Sequence, residues 1–202
     1  MRKWLRVGIV LLLLVLIAPA FVRTYRVHGS SDAPNYLWGD LILVHHSAYG
    51  LGIPFTRVHL LDWADPRLGD VVLCEMPGME HLGFKRVLGV PGDVVAMEGN
   101  HLTVNGVALE YEVRDAGEFV EVAERNQLGQ VVEWERGLGP DHLITFSPGS
   151  GPLATFGPVQ VPEDHFFLIG DNRDRSYDSR EFGALHRDRI HGRVVRVLRR
   201  AG

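Results

Sequence analysis

Residues 83–93 read GFKRVLGVPGD, an apolar run that ends in a Pro-Gly-Asp turn. Valine-rich runs bounded by glycine and proline are typical of buried strands. The run contains Lys85, and the only other lysine among the 21 Lys+Arg of the chain is Lys3. A desolvated lysine can lose its proton and become a base, whereas arginine cannot. The alternative is a lysine whose stem packs while its head reaches water, and this stretch alone favours that alternative.

The composition bounds the class of protein. The chain has 202 residues, 46% of them hydrophobic and 23% charged, which predicts one globular domain or a domain with a subdomain. The net charge of −4 gives no reason to expect nucleic acid as a partner. A single cysteine, Cys74, excludes an internal disulfide, and its apolar setting in DVVLCEM predicts a buried structural thiol.

The N-terminus predicts a membrane anchor. Residues 7–22 are apolar, and Trp4 and Tyr25 extend this run towards the ~20 residues that a spanning helix needs. We therefore expect residues 1–26 to form a short cytoplasmic tail and one uncleaved transmembrane helix. The alternatives are a signal peptide cleaved after the Ala-Pro-Ala that ends at Ala20, and a buried structural helix. The run is flanked by basic residues, which are Arg2, Lys3, Arg6, Arg23 and Arg26.

Short valine-rich runs separated by turns predict a mostly β fold. We expect folded antiparallel sheets or a barrel-like core, built from residues 27–110 and 161–202, with an inserted β cap at 111–160. The stretch 45–67 shows no periodicity and is expected to be a surface loop. The clearest hairpin is HLTVNGVALE at 101–110, in which Asn-Gly suits a type I′ turn. The other strands are expected at 39–44, 68–76, 84–90, 93–98, 161–170 and 191–198.

Four polar clusters lie between these strands: GSSDAP, RLGD, FKRVLGVPGD and GDNRDRSYDSR. A nucleophile needs a serine, threonine or cysteine with a base beside it, and Ser30 and Ser31 are better candidates than the apolar Cys74. The alternative for a serine pair in a turn is local backbone hydrogen bonding. The ten histidines form no serine–histidine or metal motif and are expected mainly at the surface. No metal or cofactor is therefore expected.

In this order the clusters resemble the sequence boxes of bacterial signal peptidase I, the membrane-anchored Ser–Lys leader peptidase. The family's Ser-Met-x-Pro-Thr box and its Gly-Asp strand correspond to SDAPN at 31–35 and GDLILV at 39–44. Its Arg-Gly-Asp-Val-Val and Lys-Arg-Val-x-Gly-x-Pro-Gly-Asp boxes correspond to RLGDVV at 67–72 and KRVLGVPGD at 85–93. Its last box corresponds to GDNRDRSYDSR at 170–180. The likeness is to the Gram-negative form and leaves out only about 111–160.

The resemblance implies a role for each matching residue. Ser31 would be the nucleophile, its backbone N–H would stabilise the oxyanion, and Lys85 would be the general base. Ser176 would hydrogen-bond the Lys85 amine and orient it. The charged stretch 173–175 is expected to be a solvated loop. Supporting residues would be Arg86, next to the base, and the ion pair of Asp178 with Arg180.

Three positions depart from the family pattern. Asp32 replaces methionine after the nucleophile, Asn35 replaces threonine, and Arg175 replaces asparagine. A carboxylate beside Lys85 would favour the ammonium form and oppose its use as a base. Gly29 also stands where many relatives carry a serine that assists the oxyanion. The single short anchor differs from the two that Gram-negative relatives usually carry.

The expected function is that of a membrane-bound serine endopeptidase that removes signal peptides from exported preproteins with a Ser/Lys dyad. It would be single-pass in the bacterial inner membrane, with a cytoplasmic N-terminus and a periplasmic catalytic domain. The expected partners are preproteins and inner-membrane lipid. One alternative is a catalytically impaired, membrane-tethered paralogue that binds peptides, which Asp32 favours. Another is a specialised Ser–Lys peptidase with a dedicated substrate.

Overall fold

The computed structural model describes Trp4 and residues 21–52, 59–149 and 151–201. The fold in these ranges is mostly β, as the sequence predicts. The two α-helices there are α1 (Val120–Asn126) and α2 (Ser179–Phe182). The strands are β1 (Val22–Arg26), β2 (Leu41–His45), β3 (Gly50–Gly52), β4 (His59–Asp62), β5 (Val71–Glu75), β6 (Leu82–Gly89), β7 (Val94–Glu98), β8 (His101–Val104), β9 (Val107–Ala108), β10 (Glu110–Val113), β11 (Val131–Arg136), β12 (His142–Phe146), β13 (Phe156–Gln160), β14 (His165–Ile169), β15 (Leu185–His186) and β16 (Ile190–Arg199).

A seven-stranded antiparallel sheet forms the core, in the order β1-β2-β16-β5-β6-β14-β15. Strand β5 lies inside this sheet, between β16 and β6, and four of its five residues are buried. Val72 and Cys74 pack in one hydrophobic cluster, while Val71 and Leu73 pack in another. Because side chains alternate across a strand, these two clusters cover opposite faces of the sheet. The candidate lysine, Lys85, lies on the neighbouring strand β6, directly opposite Val72.

A second sheet, in the order β13-β7-β8-β9, packs against the end of the first. Its hairpin turns at Asn105 and Gly106, whose φ angles are 53° and 76°. A type I′ turn needs positive φ at both central residues, which is why Asn-Gly forms it here. Residues of β6, β7, β8 and β14 share one hydrophobic cluster, which joins the two sheets. Its members include Leu88, Val95, Leu102 and Phe167.

The stretch 111–160 contains a third sheet, in the order β10-β11-β12, together with α1. The last strand in the stretch 111–160, β13, is not part of this third sheet and pairs with β7 in the second sheet. Strand β12 reaches back towards the core through a parallel bridge between Thr145 and Asn172. This contact connects the predicted cap region with the polar loop that follows β14.

The expectation of a loop at 45–67 is wrong in part, because β3 and β4 pair in this stretch. The strands are short and include glycine, which hides them from pattern reading. Gly50 is required there, since a Cβ at this position would lie 2.5 Å from the carbonyl oxygen of Leu61. Residues 53–58 lie outside the described part.

The predicted anchor falls mainly on residues 5–20, which also lie outside the described part. The boundary at residue 26 differs from the structure, in which Val22–Arg26 form β1 and pair with β2. The backbone of residues 22–26, which include the basic Arg23 and Arg26, thus forms its hydrogen bonds within the sheet. Among the described residues, no helix is long and apolar enough to cross a membrane.

Candidate active site

Ser31 and Lys85 are in direct contact, although 54 residues separate them in the chain. Ser31 lies in the turn before β2 and is half-buried, whereas Lys85 on β6 is only 2% exposed. Lys85 Nζ donates a hydrogen bond of 2.8 Å to Ser31 Oγ and one of 2.7 Å to the carbonyl oxygen of Phe84. The packed stem and buried head of Lys85 exclude the solvent-reaching lysine that residues 83–93 favour when taken alone. Its amine can act only on groups inside the site.

Asp32 is the third member of this contact. The Ser31 hydroxyl donates to Asp32 Oδ2 at 2.6 Å, and Lys85 Nζ lies 3.9 Å from the same oxygen. The carboxyl group is buried, and no group in the described part of the chain hydrogen-bonds to Oδ1. Burial raises the pKa of Asp32, the positive charge of Lys85 lowers it and the nearby Asp171 raises it, while the Ser31 hydrogen bond and Arg86 also lower it. The net effect is a pKa raised to about 6.

The loop that follows β14 holds the nucleophile turn in place. The backbone N–H of Asn172 donates to the carbonyl oxygen of Ser31 at 2.9 Å. Gly170 passes so close that a Cβ there would lie 2.5 Å from that same carbonyl oxygen and would overlap Ser176 Oγ. On its other side the loop hydrogen-bonds to Thr145 through the carbonyl of Asp171. The glycine is needed because the two backbones approach closely.

Ser176 is buried near Lys85's partner Ser31, but the predicted hydrogen bond to Lys85 is not formed. Lys85 donates to Ser31 Oγ and to Phe84 instead, and Ser176 Oγ has no well-formed hydrogen bond within the described residues. The Ser176 hydroxyl instead lies beside the carboxyl group of Asp178 and helps to lower the pKa of that group. Its role as the orienting residue stays a prediction.

Asp178 and Arg180 form a bidentate, buried ion pair, with Nε–Oδ1 and Nη2–Oδ2 distances of 2.9 Å each. Asp178 Oδ2 also accepts from the backbone N–H of Gly170, and Arg180 donates to the carbonyl oxygen of Arg173. Burial alone would raise the pKa of Asp178, but the hydrogen bonds and charge of Arg180 hold it below its usual range. The pair closes the loop 170–180 on itself.

Arg86 forms a second buried ion pair, and its partner was not singled out by the sequence. Its Nε and Nη2 donate to the two carboxylate oxygens of Asp171 at 2.8 and 2.7 Å. Asn35 Nδ2 donates to Asp171 Oδ2 at 2.7 Å, so the residue that replaces threonine in the first box also contacts the last. Asp171 lies within the GDN motif, which is the one signal that pointed to it.

The expectation of a solvated loop at 173–175 is wrong for Arg173. Its side chain is buried, and its Nη2 lies 2.8 Å from both carboxylate oxygens of Glu135 on β11. His142 Nε2 lies 3.0 Å from Glu135 Oε1 and is also buried, unlike most histidines predicted at the surface. Burial raises the pKa of Glu135, but Arg173 and His142 outweigh it and lower the value to about 2. No local pattern predicts a partner 38 residues away.

Cys74 is excluded as the nucleophile. It is a free, fully buried cysteine in the core strand β5, as the sequence predicts. Burial raises its pKa to about 12, so the thiol stays protonated. Ser31, half-buried and hydrogen-bonded to Lys85, is therefore the better candidate for a nucleophile.

Comparison with known proteins identifies the family. Residues 1–198 match the family model described as signal peptidase, peptidase S26. The chain belongs to this signal peptidase family. The match includes the serine turn, β6 and the loop that follows β14, which together build the contact around Ser31.

Several relatives in the signal peptidase family are named signal peptidase I. The one from Pseudomonas aeruginosa is 33% identical and the one from Pseudomonas fluorescens 32% identical, each over 173 residues and 84% of this chain. The chain spans 58% of the length of these two relatives. Signal peptidase I V of Bacillus subtilis is 28% identical, and the match covers 95% of both proteins.

A crystal structure of signal peptidase I from Enterococcus faecalis is also similar to this chain. It has 26% sequence identity and a TM-score of 0.41, over 65% of this chain and 97% of that one.

Proposed function

We propose that this protein is a serine endopeptidase of the signal peptidase I type, which removes signal peptides from exported preproteins. The observation that carries the proposal is the 2.8 Å hydrogen bond between Ser31 Oγ and Lys85 Nζ, in a site where Lys85 is buried. A nucleophile within hydrogen-bond reach of a base that is itself held in place is the arrangement nucleophilic catalysis needs. Membership of the signal peptidase family supports the same substrate class.

The reaction follows from these residues. Ser31 attacks the scissile carbonyl as Lys85 takes its proton, and the backbone N–H of Ser31 stabilises the oxyanion. The leaving amine takes the proton from Lys85, and the mature protein departs. A water activated by Lys85 then hydrolyses the acyl-enzyme. Ser176 is proposed to orient the Lys85 amine, which requires a hydrogen bond that the structure does not contain. None of the steps needs a metal or cofactor.

The ion pairs of Arg86 with Asp171 and of Asp178 with Arg180 support the site by fixing its loop. The protein is proposed to be anchored in the bacterial inner membrane by the apolar run 7–22, with its catalytic part on the periplasmic face. The β3–β4 hairpin supports contact with lipid, because it exposes large apolar side chains to solvent. These are Leu60, Leu61 and Trp63, which are 57%, 63% and 55% exposed.

The second candidate function is a membrane-tethered peptide-binding protein with impaired catalysis. One observation favours it: Asp32 accepts a hydrogen bond from the Ser31 hydroxyl and lies 3.9 Å from Lys85. A carboxylate at that distance stabilises the ammonium form of a lysine. Such a protein would bind a preprotein without cutting it.

Cleavage of a model preprotein with an Ala-x-Ala site tests the proposal. We expect the detergent-extracted full chain to cut after this site, as N-terminal sequencing of the product would show. The Ser31→Ala and Lys85→Ala variants should lose activity by at least about a thousandfold, since each member of a dyad is essential. Ser30→Ala is the matched control and should cut at the wild-type rate. A peptide-binding protein would instead bind the preprotein and leave it intact, and a fully active Ser31→Ala variant would exclude Ser31 as the nucleophile.

A further inference from the structure

The hydrogen-bond chain at Ser31 has a direction. Lys85 donates to Ser31 Oγ at 2.8 Å, and the Ser31 hydroxyl donates onward to Asp32 Oδ2 at 2.6 Å, because a carboxylate oxygen can only accept. The Ser31 proton therefore points away from Lys85. A lysine that removes this proton has to be neutral and has to accept from the hydroxyl. Both hydrogen bonds of the chain must reverse before Lys85 can act as a base.

We propose that Asp32 is the internal proton acceptor that makes Lys85 neutral, with the Ser31 hydroxyl carrying the proton between them. The proposal rests on the Ser31–Lys85 pair of the proposed function. One N–H bond of Lys85 breaks as a new O–H bond forms on Ser31. The former O–H bond of Ser31 breaks as an O–H bond forms on Asp32. No electrons change hands and the net charge of the three groups stays the same. The Ser31 proton now points at a neutral amine, which takes it when Ser31 attacks.

The surroundings of Asp32 raise its affinity for a proton. Its carboxyl group is 3% exposed, and Oδ1 is buried without a hydrogen-bond partner in the part of the chain that the structure describes. An ionised carboxylate in such a place is poorly stabilised, so its proton affinity rises. The opposing attraction comes from Lys85 at 3.9 Å, which is longer than a hydrogen bond.

Other charged and titratable groups act on Asp32 as well. Asp171 adds a negative charge that favours the neutral form of Asp32, and Arg86 opposes it from the same ion pair. The balance leaves the pKa of Asp32 at about 6, in the range in which a carboxylate both accepts and releases a proton near neutral pH. The groups that face Asp32 are Ser31, Tyr36, Cys74, Lys85, Arg86 and Asp171.

A simpler electrostatic account makes the opposite prediction. If Asp32 only stabilised the Lys85 ammonium ion, it would suppress the base, and its removal would raise activity at neutral pH. If Asp32 accepts the proton, its removal leaves Lys85 with solvent as the only acceptor, and activity at neutral pH falls. The sign of the change therefore distinguishes the two roles.

The test compares wild type, Asp32→Asn and Asp32→Met as full-length proteins in detergent micelles. The rate is measured from pH 5 to pH 10 with a fluorogenic peptide that contains an Ala-x-Ala site. Asp141→Asn is the matched control, because it makes the same change at an exposed carboxylate in the turn between β11 and β12, where it pairs with Arg136. Ser31→Ala reports separately on the proposed function.

We expect both Asp32 variants to lose at least about tenfold in kcat at pH 7 with little change in KM. Asp141→Asn should follow wild type. Equal or higher activity of Asp32→Asn and Asp32→Met at pH 7 would overturn the role of Asp32. If Ser31→Ala were inactive in the same experiment, the proposed function would stand. A fully active Ser31→Ala would overturn both proposals together.

The wild-type profile tests the role of Asp32 without any variant. Once Asp32 is protonated it cannot accept from Lys85, so kcat/KM should fall below about pH 6, by up to tenfold for each further pH unit. A lysine that had the ordinary pKa of about 10.4 and released its proton to solvent would place this decline at a much higher pH. A decline centred above about pH 8 would contradict the proposal, even if the Asp32 variants failed to fold.

Discussion

Single charged side chains from distant parts of the chain determine the electrostatics around Ser31. Asp32 comes from the serine turn, Lys85 and Arg86 from β6, and Asp171 from the loop that follows β14. Arg86 and Asp171 neutralise each other in a bidentate pair whose side chains are 6% and 1% exposed. Asp32 has no such bidentate partner among the described residues, and the cation that pairs with it, Lys85, is 3.9 Å away. This asymmetry leaves Asp32 as the carboxylate that can change its protonation state.

The Arg86→Met variant tests the pair directly. It would leave the buried carboxylate of Asp171 without its partner, and we expect the free energy of unfolding to fall by about 3 to 5 kcal/mol. Loss of this cation should also raise the pKa of Asp32 and shift the acid decline of kcat/KM to higher pH. Arg193→Met is the control, since Arg193 is 43% exposed and 3.5 Å from Asp70, and it should cost less than about 1 kcal/mol. Urea unfolding measures the free energy of unfolding of both variants. Equal decreases would show that the buried Arg86–Asp171 pair stabilises the protein no more than the exposed Arg193–Asp70 pair.

The loop between β14 and α2 connects the elements that build the site. Its backbone donates to the Ser31 carbonyl and bridges to Thr145 of β12, and its side chains reach Arg86 on β6 and Glu135 on β11. This one loop therefore contacts the serine turn, the seven-stranded sheet and the β10-β11-β12 sheet. Because each contact is either a backbone hydrogen bond or a buried ion pair, a displacement of this loop should move the nucleophile.

Gly170→Ala should produce such a displacement. A Cβ would lie 2.5 Å from the Ser31 carbonyl oxygen, so the loop or the serine turn has to move. We expect kcat to fall by about tenfold or more, since small displacements of a nucleophile are costly. Gly157→Ala on β13 is the matched control, because nothing lies within 4 Å of the added Cβ. Its stability should stay equal or rise by up to about 1 kcal/mol. Unchanged kcat in a folded Gly170→Ala protein would show that the close approach does not position Ser31.

Several groups with shifted pKa values contribute to how the stability of the whole molecule responds to acid, and three of them are His46, Asp32 and Glu135. The pKa of His46 is lowered to about 4 by burial and by Arg23, so stability from its neutral form is lost as the pH falls from 6.5 to 4. The pKa of Asp32 is raised to about 6, so its protonation adds stability as the pH falls from 6 to 4. These two effects oppose each other over nearly the same range. The pKa of Glu135 is lowered to about 2, and its contribution is lost as the pH falls from 4.5 to 2.

The unfolding free energy should therefore change little between pH 6.5 and pH 4.5 and fall steeply below. The Glu135 contribution to this fall is about 3 kcal/mol, from a shift of roughly 2.5 pKa units. Urea unfolding of the full-length protein from pH 2.5 to pH 8 measures it. In Glu135→Gln the protein should be less stable at pH 7, because Arg173 is left unpaired, and its stability should depend less on pH below 4.5. An undiminished acid dependence in this variant would assign the effect to other groups.

The sequence predicts those parts of the molecule that depend on local patterns. The strands at β2, β5, β6, β7 and β16 follow from valine-rich runs, and the β8–β9 turn from Asn105-Gly106. The pairing of β3 with β4 was missed because three residues with two glycines carry no periodic signal. The burial of Arg173 was missed because its partner Glu135 is contributed by a different sheet.

The candidate site divides in the same way. The sequence boxes identify Ser31, Lys85 and Asp32. They also predict that the Asp32 carboxylate would favour the ammonium form of Lys85. The direction of the hydrogen bonds from Lys85 to Ser31 and from Ser31 to Asp32 could not be predicted. It depends on the distances between these three side chains in the folded protein. The contact between Asn35 and Asp171 could not be predicted either. The two residues belong to different sequence boxes, and only the fold brings them together.

The central claim is that Ser31 becomes covalently attached to the substrate. It is tested most directly by mixing the full-length protein with a short peptide ester that carries an Ala-x-Ala acyl group, and quenching with acid within milliseconds to seconds. Mass spectrometry of the digested protein then locates the acyl group. We predict an adduct on the peptide that contains Ser31, its loss in Ser31→Ala and its persistence in Ser30→Ala. An adduct on Ser30 or Ser176, or the same adduct in Ser31→Ala, would contradict the assignment of the nucleophile.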